Sequence, residues 1–178
     1  SNTPYRSYKQ WCFQGGTSSP LIVTYGDPDK NRMAGKICTQ PCHIIDILPT
    51  CLALANVNYP DTCRPAALPG RSLLPTAFGR PEEPRTLYFE HQASCAIIDG
   101  YWKLVRRDRN SPWQLINLST DPFETHDLAS EKPRKVEELE AKWIAWAETH
   151  HVFPLEDKSW TQRINFYKQK NPDQSGRQ

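Results

Sequence analysis

The pair Asp99-Gly100 falls between two β-rich runs, Ser94-Cys95-Ala96-Ile97-Ile98 and Tyr101-Trp102-Lys103-Leu104-Val105. A type I′ turn needs positive φ at both central residues, and Asp-Gly is one of the few dipeptides that tolerate it, so the pair predicts a tight hairpin. Runs at 86–90 and 113–118 extend that hairpin into an antiparallel meander. Beyond the Asp121-Pro122 turn, Val136, Leu139, Trp143 and Trp146 recur three and four residues apart. That stripe predicts an amphipathic helix over about 134–149, with Glu138 and Lys142 paired on its wet side. Several short strands and one helix able to cover one sheet face make an α+β subdomain.

The first half has a different grain. Leu21-Ile22-Val23-Thr24-Tyr25, stopped by Gly26-Asp27-Pro28-Asp29, reads as a buried strand. Ile44, Ile45, Leu48, Cys51, Leu52 and Ala55 recur at helical spacing, and Pro49 should kink that helix or mark its first turn. Residues 56–84, rich in proline, read as a long connection and place the subdomain boundary there. The 16 prolines in 178 residues fit many loops between short elements.

Composition excludes some functions. A balance of 22 basic to 20 acidic residues argues against a dedicated nucleic-acid binder. The longest apolar runs, such as Ala96-Ile97-Ile98, are far too short for a membrane-spanning helix. The opening Ser1-Asn2-Thr3-Pro4-Tyr5-Arg6 is not a signal peptide and suits an internal or processed segment as well as a native start. Cysteines at 12, 38, 42, 51, 63 and 95 could pair in many ways. The spacing Cys38-x-x-x-Cys42-His43 lacks a second tight pair, so scattered thiols or one disulfide are expected rather than zinc. The polar tail from Lys168 is expected to fray.

The densest chemistry lies at 9–20: Lys9-Gln10-Trp11-Cys12-Phe13-Gln14-Gly15-Gly16-Thr17-Ser18-Ser19-Pro20. A double glycine permits close backbone approach, and a lysine held beside such a turn can present a point charge to an oxyanion. Read alone, Lys9 fits an ordinary surface lysine better than a functional one, since lysines are mostly exposed. Lys9 ahead of Gln14-Gly15-Gly16 and Pro20 resembles the formylglycine-dependent sulfatases of the alkaline phosphatase superfamily. Further segments are similar to that family in the same order: Asp46-Ile47-Leu48-Pro49-Thr50, Gly70-Arg71-Ser72-Leu73, Leu87-Tyr88-Phe89-Glu90-His91, Ala96 to Val105, and Leu115 through Asp121-Pro122-Phe123-Glu124 to Ala129.

The resemblance implies an α/β family fold. Residues 1–84 would be the last strand and helix part of its large domain, with the proline-rich connection, and 85–178 its small C-terminal α+β subdomain. It implies that Lys9 contacts the sulfate ester. His91 would line the substrate pocket, although a hydrogen-bonded histidine at a strand end is the equal alternative. It also implies calcium or another divalent cation, a sulfated small molecule or saccharide as substrate, and an exported or lysosomal setting. Two departures stand out: Gln14 replaces the usual Glu, and Ser94-Cys95 occupies a stretch that carries other residues in relatives. The Cys-x-(Pro/Ala)-x-Arg segment that yields formylglycine is absent; Cys63-Arg64-Pro65-Ala66-Ala67 starts like it but lacks the arginine. No metal ligands of the family are found either. The resemblance therefore assigns nucleophile and metal to a missing N-terminal half, and the chain alone is expected to be inactive. The alternatives are a noncatalytic binding or assembly module, or a phosphonate or phosphodiester hydrolase of the same superfamily. The bland readings of other residues are a fold-serving role for His43 at a helix start, with general acid–base chemistry as the lesser alternative, capping for His150 and His151, and core packing for Trp143 and Trp146.

Overall fold

Strands form where the β-rich runs predict them: β1 (Thr86–His91), β2 (Ser94–Asp99), β3 (Trp102–Arg106) and β4 (Gln114–Asn117). The helices are α1 (Gln14–Thr17), α2 (Ile47–Leu54), α3 (Leu74–Ala77) and α4 (Pro133–Thr149), with a 3₁₀ turn at Ile44–Asp46. This computed structural model describes residues 2–24, 35–60, 62, 67–80, 82–156, 158, 161–162, 165–166 and 169. The turn at 26–29, the Cys63–Ala66 stretch and nearly all of the tail from Lys168 lie outside them. Two compact units emerge, Ser1–Pro20 with Arg85–Gln178, and Leu21–Pro84.

The first unit is an antiparallel sheet in the order β1-β2-β3-β4. Register pairs Phe89 with Ala96, Ala96 with Val105, and Lys103 with Ile116. The hairpin at Asp99-Gly100 forms, shifted by one residue: Asp99 pairs with Trp102, and the loop is Gly100-Tyr101. Only Gly100 has positive φ there, the pattern of a II′ turn rather than I′. Paired positive φ values occur one hairpin earlier, at Gln92 and Ala93. Neither is glycine, and the Ala93 N–H donates to the Glu90 carboxylate at 2.8 Å, a local compensation for that backbone.

Burial runs unbroken through Ser94–Ile98 because both faces of β2 are covered. On one face Cys95, Ile97, Leu104 and Leu115 pack under Leu139, Trp143 and Ala147 of α4. Trp143 is fully buried, and its indole N–H donates to the Phe89 carbonyl at 3.2 Å. Truncating such a tryptophan to alanine typically costs about 3–5 kcal/mol. On the other face Ala96, Val105 and Ile116 pack against Cys12 and Phe13. The helix and its stripe follow the periodicity, Lys142 bonds Glu138 at 3.0 Å, and the His150 ring caps the Trp146 carbonyl at 2.8 Å.

The second unit, Leu21–Pro84, corrects one expectation. Residues 21–24 form no strand and are exposed, Ile22 at 89% and Val23 at 62%. A strand is stable only when its backbone groups are paired, and no described residue pairs with these. Pro49 sits in the first turn of α2, where its missing N–H costs nothing. Asp46 is the only buried residue of the described part of this unit. It accepts from the amides of His43 (2.8 Å) and Arg71 (3.0 Å), while the Thr50 hydroxyl receives the Leu73 amide at 2.9 Å. A side chain at Gly70 would overlap the Ile45 carbonyl. The two segments Asp46–Thr50 and Gly70–Leu73 are thus one structural lock, and His43 serves it as part of a capping box.

Candidate functional site

Residues 2–20 build the site. Tyr8 to Trp11 is a turn closed by the Trp11 amide on the Tyr8 carbonyl at 3.0 Å, which puts Lys9 at its apex. Lys9 is exposed and has no hydrogen-bond or ion-pair partner among the described residues. The double glycine does make a close approach, and the object approached is the segment's own beginning. The Gly15 amide donates to the Arg6 carbonyl at 2.8 Å. A Cβ at Gly15 would strike the Arg6 and Ser7 carbonyls, and one at Gly16 the Trp11 carbonyl.

Three clamps fasten this segment to the sheet. The Cys12 amide donates to the Ser94 hydroxyl at 2.9 Å, and that hydroxyl donates to the Arg106 carbonyl at 3.1 Å. Arg6 stacks over Phe13 at 4.4 Å and donates to Gln114 at 2.9 Å. The third clamp is central. Lys103, fully buried on β3, places its ammonium 2.8 Å from Glu124, 3.0 Å from the Gln14 side-chain oxygen and 3.4 Å from the Thr17 hydroxyl. The second Glu124 oxygen receives the Gln14 amide at 2.7 Å. Burial pushes the Lys103 ammonium below its ordinary range, and the Glu124 carboxylate beside it opposes that shift. Gln14 is suited to this spot: a neutral oxygen completes the ammonium's shell, which already has one carboxylate.

His91 ends β1, is exposed, and pairs in register with Ser94. Ser94 in turn holds Cys12, so His91 and the base of the Lys9 turn share one end of the sheet. Burial and hydrogen bonding give Ser94 a fastening role, and Cys95 faces α4. Burial pushes the Cys12 thiol up to about 12 and the Cys95 thiol up to about 11, so neither is a thiolate nucleophile near neutral pH. Among the described residues no group of three His, Cys, Asp or Glu side chains could hold a metal ion, and no helix is long and apolar enough to cross a membrane. Cys38, Cys42 and Cys51 are free and exposed.

Sequence reasoning singled out Lys9 and His91 as candidates and gave no role to Lys103, Glu124, Ser94 or Arg6. One signal was present. The unalternating run Ala96-Ile97-Ile98 implies a sheet covered on both faces, so Lys103 had to be buried and had to find an anion.

No protein-family model matches the chain. Arylsulfatase K of Xenopus laevis is 25% identical over 148 residues, 76% of this chain and 27% of that protein. Arylsulfatase K of Danio rerio is 30% identical over 146 residues, 75% and 26% respectively. N-acetylgalactosamine-6-sulfatase of Mus musculus is 27% identical over 122 residues, 68% and 22%. The crystal structure of Ps i-CgsB shares the fold at a TM-score of 0.70 and 22% identity, over 97% of this chain and 38% of that one. The chain thus spans about a quarter of the length of these curated relatives.

Proposed function

Since the chain is a relative of the sulfatases, with the fold of their C-terminal part, we propose that it serves the hydrolysis of sulfate monoesters and that Lys9 contacts the sulfate group. The observation that carries this reading is the setting of Lys9: an unneutralised cation at the apex of a turn clamped to the sheet at three points. A sulfate ester gains charge on its oxygens as the bond to the leaving group breaks, and a cation already in place stabilises that charge without reorganising. His91, at the same end of the sheet, is proposed to line the pocket. The names of the relatives support sulfated saccharides as one substrate class, and the family's usual setting supports export or a lysosomal location.

In this reading the nucleophile and a divalent cation, calcium in the first instance, belong to a larger α/β part outside these 178 residues. Support comes from the missing Cys-x-(Pro/Ala)-x-Arg segment and from the relatives, of whose length the chain spans about a quarter. The exposed apolar side chains of the Leu21–Pro84 unit, Ile37 at 91% and Ile44 at 77% among them, suit burial against that larger part.

The test is hydrolysis of 4-nitrophenyl sulfate with added calcium. The chain alone should release no sulfate above a buffer control, and release above it would overturn the placing of the nucleophile elsewhere. In a protein that also carries the nucleophile segment, Lys9→Ala should lower turnover by about 10²–10³-fold, the usual effect of one oxyanion contact. An unchanged rate would reduce Lys9 to a surface residue.

A further inference from the structure

The turn that presents Lys9 carries more than a lysine. Trp11, half-buried, acts as a post: the Arg107 guanidinium lies 4.4 Å over its ring, and the Tyr8 ring meets it edge to face at 4.7 Å and 80°. Tyr8 remains 48% exposed, and Arg107, directly after β3, is exposed as well. Arg107 makes no hydrogen bond among the described residues. The one acid adjacent to it in sequence, Asp108, is engaged by the Asn110 and Ser111 amides, each at 2.9 Å. Stacking thus fixes the plane of a guanidinium whose donors stay available, the arrangement suited to bidentate capture of a sulfate or carboxylate.

We infer that Tyr8 and Arg107 form a saccharide subsite beside Lys9, which takes a sugar ring carrying a second anionic group next to the ester being cleaved. This rests on the sulfatase reading for the identity of the ester at Lys9, and it adds the class of its neighbour. The Tyr8 ring offers an apolar face to the C–H surface of a pyranose, and Arg107 binds the sulfate or carboxylate of that ring. A monosulfated aryl ester would engage Lys9 alone. A polyanionic saccharide would engage Lys9 and Arg107 together, and two contacts on segments joined through the Trp11 ring act as a linked pair. Both side chains sit on clamped backbone, so little ordering is lost on binding.

The experiment is calorimetric titration of the intact chain with a chondroitin 6-sulfate tetrasaccharide, its desulfated counterpart and inorganic sulfate. The sulfated tetrasaccharide should bind at least tenfold more tightly than either other probe. Arg107→Ala should weaken it about tenfold or more, the scale of one hydrogen-bonded charge. Tyr8→Ala should weaken the tetrasaccharide severalfold and leave inorganic sulfate unchanged. Arg134→Ala, at an exposed position at the start of α4, is the control and should change nothing. The inference is overturned if the tetrasaccharide binds no more tightly than inorganic sulfate, if Arg107→Ala is silent, or if Arg134→Ala weakens binding as much as Arg107→Ala. Lys9→Ala separates the two claims. If inorganic sulfate binds the Lys9→Ala chain undiminished while the tetrasaccharide still needs Tyr8 and Arg107, the Lys9 reading fails and the subsite stands.

Discussion

The two units spend their apolar residues in opposite ways. In the sheet unit, Cys95, Ile97, Leu104, Leu115, Leu139 and Trp143 are each fully buried. In the Leu21–Pro84 unit no described apolar side chain is buried, and its one buried residue is an aspartate. Its order comes from caps and locks: the Asp46 carboxylate on two amides, the Thr50 hydroxyl on a third, and a glycine that lets backbones touch. Hydrogen bonds of this sort contribute about 1 kcal/mol each, well short of the conformational entropy of a segment this long. One unit is a domain with its own core. The other is held by hydrogen bonds and keeps no buried apolar side chain among its described residues.

The largest test of that contrast lies at the buried clamp. Lys103→Met should leave Glu124 charged and unpaired inside the protein, lowering stability in chemical denaturation by about 3–5 kcal/mol. Pairing it with Glu124→Gln should recover much of the loss, and failure to do so would mean the charge pair is not what holds residues 2–20. Next in size are two glycines with the same steric problem in different units. Gly16→Ala should lower stability by about 1–3 kcal/mol, an overpacking cost in the sheet unit. Gly70→Ala should leave the main unfolding transition within about 0.5 kcal/mol, because the unit it disturbs adds no apolar core to that transition. Equal losses at the two sites would erase the contrast.

A smaller effect is chemical. With iodoacetamide at pH 8 and mass-spectrometric mapping, Cys38, Cys42 and Cys51 should alkylate readily, while Cys12 and Cys95 stay protected until the chain unfolds. Their thiols are held at about 12 and about 11, above the ordinary 9.0, so they add stability that is present below pH 9 and lost as pH climbs toward those values. Rapid labelling of Cys12 in the native chain would show that residues 2–20 lie loose from the sheet.

Legibility in the sequence followed the range of the interaction. The four strands and α4 were readable because β-rich runs, a turn dipeptide and a 3.6-residue stripe are local, and the hairpin missed by a single residue. Residues 21–25 read as a strand, and the described part, 21–24, forms none, since a strand depends on a neighbour that local sequence cannot supply. The attachment of residues 2–20 to a sheet that begins more than 60 positions later was invisible for the same reason. Lys9 could be singled out by its pattern. Lys103 and Glu124, which fix the segment that carries it, look like ordinary exposed charges until the second face of the sheet is seen to be covered.

Hydrogen exchange of the native chain, read by mass spectrometry on fragments covering residues 2–20, α2 and β2, tests the division most directly. The amides of Cys12 and Gln14, bonded to Ser94 and Glu124, should exchange as slowly as those of β2, opening only with global unfolding. Amides of Ile47–Leu54 should exchange orders of magnitude faster at the same pH. Protection of α2 equal to that of β2, or early exchange at Cys12 and Gln14, would contradict a sheet unit that carries the Lys9 turn as part of its own core.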